Sequence, residues 1–335
     1  MVPTVMRKTC FLLLIILSSL SLHAQELYNL TLPASTLPKG ALGIRLFNES
    51  YSESAIIRKI SVLKVMYGIT PRLSVTLSAV ASDYHSLHLP FDFILHNHAT
   101  GAPPSANTPA PEHNPYIFNG ADLYGQYRFF AADGENSHFR IAAYGEASYT
   151  RIASHLAEAE LLTHNSGFGA GAITTYLKSH FAATVTLGYV VPIAYTGNSI
   201  DNYGGIYPTT IIYGNAVNYD LALGYLLFPR HYKNYKQSNL NLYLEFLGKS
   251  YAAANVTQQD GIKTYNIPSN IAILRAGNYV DINPGVQYII HSATRIDVSM
   301  GFPFINSSYI HSYPLYYIGL QRYFFFKKHK VAKND

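Results

Sequence analysis

Tryptophan is absent from this 335-residue chain, cysteine occurs once, and charged residues make up only 13% of it. Each scarcity excludes something. The single cysteine, Cys10, lies at the edge of an N-terminal apolar stretch that reads as a removable leader. Disulfides, thiolate metal sites and cysteine nucleophiles are therefore excluded from the mature chain. Cys10 precedes the apolar core of the leader and so is not placed as a lipoprotein cysteine. The formal charge of +5 is small, dispersed and partly due to Arg7 and Lys8, which argues against a nucleic-acid partner. After the leader there are no heptads, no Gly-rich phosphate loop and no apolar run of the roughly 20 residues that a spanning helix needs.

The leader itself is well marked. Arg7 and Lys8 form its basic start, Phe11 to Leu20 its apolar core, and Leu22-His23-Ala24 a small-residue cleavage site. Residues 1–24 are thus a signal peptide, and Gln25 opens the mature protein.

What is abundant is alternation. In DINPGVQYIIHSATRIDVSMGFPF, Asp281 to Phe304, two runs of alternating polarity flank a short turn. Ile282, Val286, Tyr288 and Ile290 fall on one face of the first run, with Asp281, Asn283, Gly285 and Gln287 on the other. Successive strand side chains point to opposite sides, so this is a hairpin with an oily and a wet face. Strand-like runs recur at 40–48, 57–67, 73–82, 118–130, 139–151, 167–177, 181–193, 211–228, 240–249, 279–290, 295–304 and 315–326. Short and long connections alternate between them. The long ones cover 83–117, 152–166, 194–210, 250–278 and 305–314. Transmembrane barrels of the bacterial outer membrane have this asymmetry.

Each run also offers a polar face: Asp122, Gln126, Arg128, Arg140, Glu146, Asn218, Asp220, Asn241, Glu245, Asp281, Asn283, Gln287, Arg295 and Asp297. In a soluble sandwich these residues would face water and the apolar set would form the core; in a barrel they would line the lumen. Periodicity alone does not separate the two. The leader, the loop asymmetry and tyrosines at strand ends favour the barrel: Tyr67, Tyr149, Tyr176, Tyr225, Tyr309, Tyr313, Tyr316 and Tyr323. The last run, Tyr316 to Phe326, resembles the aromatic C-terminal strand by which such barrels are recognised for insertion, although Arg322 interrupts its apolar face and Lys327–Asp335 follows it.

Met66–Ala79 (MYGITPRLSVTLSA) and Pro284–Phe304 together resemble outer-membrane barrels of the meta-pathway phenol-degradation-like or "transporter" type, frequent in Bacteroidota-like genomes. The resemblance touches about a quarter of the chain. It implies an outer-membrane location and passage of small molecules, and it brings no catalytic residues.

Three other features invite chemistry. The 83–117 connection holds His85, His88, His96, His98 and His113, with His96 and His98 spaced to share one side of an extended segment. A polar surface loop explains them as well. His164 and Ser166 look like the His-x-Ser element of outer-membrane phospholipase A, and strand register would turn both outward. The Asn-Gly that follows in that enzyme is absent. Gly167, Gly169 and Gly171 precede no helix and so form no phosphate loop; on a lumen face they leave room for a large opposing side chain.

The resulting expectation is an all-β, antiparallel up-and-down barrel of about twelve strands, ten to fourteen being the range. Residues 25–39 are expected as a periplasmic N-terminal segment, 40–326 as the barrel and 327–335 as a charged periplasmic tail. The expected function is passive passage of small solutes through a polar lumen in a Gram-negative outer membrane. The alternatives are a non-conducting structural or surface-binding barrel plugged by its loops, and a phospholipase-like hydrolase using His164 and Ser166. Outer-membrane lipid and the barrel-assembly machinery are the expected partners; no cofactor, metal site or catalytic residue is implied.

Overall fold

The computed structural model describes residues 28–53, 56–84, 88–93, 114–201, 203–229 and 237–326. The leader, the tail after Phe326, and His85, His96, His98 and His113 lie outside the described residues.

Seventeen strands are present among them. Twelve form one closed barrel: β1 (Ala41–Glu53), β2 (Ile56–Thr70), β3 (Leu73–Ser82), β5 (Ile117–Asp133), β6 (Ser137–Thr150), β7 (Gly167–Lys178), β8 (Phe181–Pro192), β11 (Ala216–Phe228), β12 (Asn239–Tyr251), β15 (Gly277–Ile290), β16 (Thr294–Ile305) and β17 (Leu315–Phe325). Neighbours pair antiparallel throughout, and β1 closes on β17. Closure satisfies the backbone of every strand within the wall and leaves no edge, which is the condition for strands to stand in hydrocarbon.

The two faces of the wall differ as the alternation requires. Leu77, Leu123, Val185, Leu187, Ile318 and Leu320 are each more than half exposed on the outside. An apolar band of that extent, running round a closed barrel, is a lipid-facing surface. Tyr67, Tyr149, Tyr176, Tyr225 and Tyr316 are also exposed. Tyr323, by contrast, points inward and is buried, while Tyr309 and Tyr313 pack among inner residues. Those three belong to the interior rather than to an aromatic belt.

The barrel has a turn end and a loop end. Tight connections at 71–72, 134–136, 179–180 and 291–293 mark the turn end. At the loop end five short strands form a second sheet, in the order β14 (Lys263–Ile267), β13 (Asn255–Asp260), β10 (Ile206–Ile212), β9 (Tyr195–Ile200) and β4 (Leu89–Pro90). The long connections expected at 194–210 and 250–278 therefore carry strands of their own. The run read as one strand over 211–228 is split at Tyr213–Asn215, with its first residues in β10 and the rest in β11.

The largest difference concerns the segment before β1. Residues 25–39 were expected in the periplasm, but residues 28–38 lie inside the barrel. Tyr28, Asn29, Thr31, Ala34 and Thr36 are nearly inaccessible; the first four bond to inward side chains of the wall, and Thr36 donates to the Pro71 carbonyl. Hydrogen-bonding wall groups offer this short polar stretch partners that water would otherwise supply.

Candidate functional site

The lumen is filled by two segments that belong to no barrel strand. The first is the floor, residues 28–38, near the turn end. Glu245 of β12 is its clamp: the carboxylate accepts the backbone N–H of Leu30 at 3.0 Å and of Thr31 at 2.6 Å. On one side, Arg45 of β1 donates to the Asn29 carbonyl at 2.7 Å, and the Asn29 amide donates to the Ser299 hydroxyl of β16 at 2.8 Å. On the other, the Ala34 N–H meets the Thr175 hydroxyl of β7, Gln126 of β5 donates to the Pro33 carbonyl at 2.9 Å, and Arg140 of β6 donates to the Ser35 hydroxyl at 2.8 Å. Tyr28 packs with Ala182, Ala222 and Tyr243. A cavity of about 20 Å³, room for roughly one water, remains beside Pro33, Thr36, Met66 and Gln126.

Other polar residues of the wall form a network beside that clamp. Asn241 donates to Gln287 at 2.8 Å, and Gln287 donates to Asp297 at 2.9 Å. Asp297 is held by Arg295 at 2.7 Å and lies 3.8 Å from Arg45. Gly319 pairs in register with Asp297 and Phe47, and Arg45 and Asp297 atoms lie 3.2 and 3.4 Å from where its Cβ would be. Arg128 donates to the Pro71 carbonyl at the turn end, and Arg140 also bonds Asp133 at 3.0 Å. Asp122 and Asn283 are buried inside; Asn218, Asp220 and Glu146 are half-buried. Gly169 lies against Glu146 and Gly171 against Tyr144, the room for large side chains that the glycine series suggested.

The roof is the second filling. Residues 151–166, between β6 and β7, turn inward, and Ile152 to Ala159 are all buried. Leu156, Ala157 and Leu161 pack with Phe47, Val62, Tyr279, Leu315 and Tyr317 in one apolar cluster. Glu158 ties the roof down by accepting the Ser308 hydroxyl at 2.9 Å and the Tyr309 N–H at 3.0 Å. Asp281 lies here too: it bonds His311 Nδ1 at 2.9 Å and accepts from the Tyr313 hydroxyl.

His311 sits in the loop before β17. Burial works against its charge, but the hydrogen bond to Asp281 and the negative charges of Asp281, Glu49 and Glu160 win, raising it from 6.5 to about 10. A pKa raised by folding stabilises fully below the unfolded value and is lost as pH rises through the folded one. The melting temperature of the wild-type protein should therefore exceed that of His311→Gln at neutral pH. The gap should shrink above about pH 6.5 and close beyond about pH 10; a gap independent of pH would contradict this.

The hydrolase dyad is not assembled. His164 was expected to face outward, yet it is 1% exposed inside the roof, 3.5 Å from Glu160 and edge-on to Tyr84. Ser166 instead bonds the backbone of Thr150. The register argument failed because residues 161–164 form a turn, with the N–H of His164 and of Asn165 bonded to the Glu160 carbonyl, and β7 begins only at Gly167. Among the described residues no group of three His, Cys, Asp or Glu could hold a metal.

Arg45, Glu158, Ser308 and His311 were missed by the sequence reading. Arg45 alone carried a usable signal, since Gly43, Arg45 and Phe47 alternate with Ile44 and Leu46.

No protein-family model matches the chain, and no curated protein matches it. Among solved structures it is similar to an outer-membrane channel from Pseudomonas putida F1, with 11% identity and a TM-score of 0.49 over 87% of this chain and 98% of that one. It is also similar to outer membrane phospholipase A from Escherichia coli, with 10% identity and a TM-score of 0.33 over 88% and 98%. For the P. putida toluene transporter TodX the values are 9% and 0.27 over 84% and 87%. At this level the likenesses say nothing about activity.

Proposed function

We propose that the protein is a passive channel for small solutes in a Gram-negative outer membrane, with residues 28–38 as its gate and the turn end in the periplasm. The reading agrees with the resemblance of Met66–Ala79 and Pro284–Phe304 to meta-pathway phenol-degradation-like barrels. One observation carries it: the lumen floor is built by a segment outside the wall, held by side-chain hydrogen bonds. Small barrels fill themselves with wall side chains. A wall wide enough to need separate filling becomes a conduit when the floor leaves and the roof at 151–166, tied down by Glu158, yields as well. The apolar cluster in the loop-end half of the interior fits solutes with an apolar body, and the polar wall beneath it provides the aqueous exit.

Planar-bilayer conductance tests this. The full chain should be closed most of the time, and a chain lacking residues 28–38 and carrying Glu158→Ala, which loosens floor and roof together, should show long discrete openings. A deletion variant that folds, by heat-modifiable gel mobility, but stays silent would remove the channel reading. That result would favour a non-conducting surface-binding barrel, which the buried roof at 151–166 would suit.

A further inference from the structure

Arg322 is used by neither the gate nor the wall network. It lies on the outer face of β17, exposed, in a row with Tyr316, Ile318, Leu320 and Phe324. In register it stands beside Ile44 of β1 and Thr294 of β16. Thr294 is the first residue of β16 after the 291–293 turn, so Arg322 sits low on the wall, at the turn end. It is not below the apolar band, because Phe324 and Phe326 continue the exposed surface past it. Its guanidinium donates through Nη1 to the Thr294 hydroxyl at 2.7 Å, which lays the side chain flat along the barrel. Among the described residues its outer-face neighbours are neutral and it forms no ion pair.

A permanently charged group in an apolar band needs an anion or water, and arginine presents a fork of donors that matches a phosphate. With Nη1 fixed by Thr294, the remaining N–H groups are oriented for a ligand at the depth of the headgroups. Isoleucine, leucine and phenylalanine on both sides favour an anion that carries acyl chains over a free one. We propose that Arg322, held by Thr294, is a binding site for the phosphate of a phospholipid in the leaflet at the turn end. This rests on the lipid-facing assignment of the outer wall and is independent of whether the lumen conducts.

Native mass spectrometry of the full protein released from detergent with added phosphatidylglycerol reads the site directly. Wild-type protein should retain the lipid. Arg322→Leu should retain it about tenfold less, the loss of one charge-assisted contact, and Arg322→Lys should fall between them. Lys178→Leu, another exposed cation at the turn end, should match wild type. Equal retention by wild type and Arg322→Leu would overturn the proposal, as would displacement of the lipid by excess inorganic phosphate. If Arg322→Leu does not fold, Thr294→Val keeps the test: it should weaken retention by unfixing the guanidinium, and unchanged retention would count against the site.

Discussion

In a background carrying Glu158→Ala to loosen the roof, replacing Glu245 by alanine is expected to turn a mostly closed barrel into a conducting one. The carboxylate is completely buried and accepts from two consecutive backbone N–H groups of the floor. Hydrogen bonds to a charged acceptor contribute about 1.5–3 kcal/mol each. Their joint loss costs the closed state about 3 kcal/mol or more, which is roughly a hundredfold in the ratio of open to closed. Glu245→Gln keeps one oxygen acceptor without the charge and should open the barrel less. Asp220→Asn, on the neighbouring strand and without a bond to residues 28–38 among the described contacts, should leave the closed state in place. Single-channel recording in planar bilayers separates the three; equal open probability with and without Glu245→Ala in that background would remove Glu245 from the gate.

The second large effect concerns the outer wall. Leu187 lies in the middle of β8 and is 59% exposed. Were that face in water, Leu187→Arg would be nearly neutral. Facing hydrocarbon, it should destabilise the barrel by about 2–4 kcal/mol, falling to about 0–1 kcal/mol for the same change near an interface. Urea titration of protein folded into lipid vesicles measures this. Phe181→Arg, beside the 179–180 turn, should cost much less than Leu187→Arg; equal small costs would mean that the exposed band is not a lipid surface.

The strands were legible in the sequence because the wall meets two solvents. Val217, Leu221 and Tyr225 had to suit lipid while Asn218, Asp220 and Gly224 had to suit the inside, and that conflict is written at period two. It is blurred in β2, where Ile60, Val62 and Met66 face inward and Lys59 faces out. The filling of the lumen left no such trace. Asn29-Leu30-Thr31-Leu32 alternates for only four residues before Pro33 ends it, and what Glu245 grips is backbone N–H, which is the same in every sequence. Glu245 could be placed inside; its partner could not. The inward roof was hidden for a related reason: Ala153, Leu156, Ala157 and Ala159 look like any mild loop until the apolar cluster around them is known. His164 shows the opposite error, where a period was extended three residues ahead of the strand that justified it.

The floor is joined to β1 through Gly40 and Ala41, whose N–H groups bond the carbonyls of Gly68 and Pro38. Unlatching it therefore releases a short leash, not a free peptide. Eleven extended residues reach about 36 Å at most, so the displaced segment stays close to its own mouth at an effective concentration of order millimolar. Reclosure is then a first-order event whose rate does not depend on how much protein the membrane holds. A synthetic peptide copying residues 28–38 would have to approach millimolar levels before it competed with the attached copy.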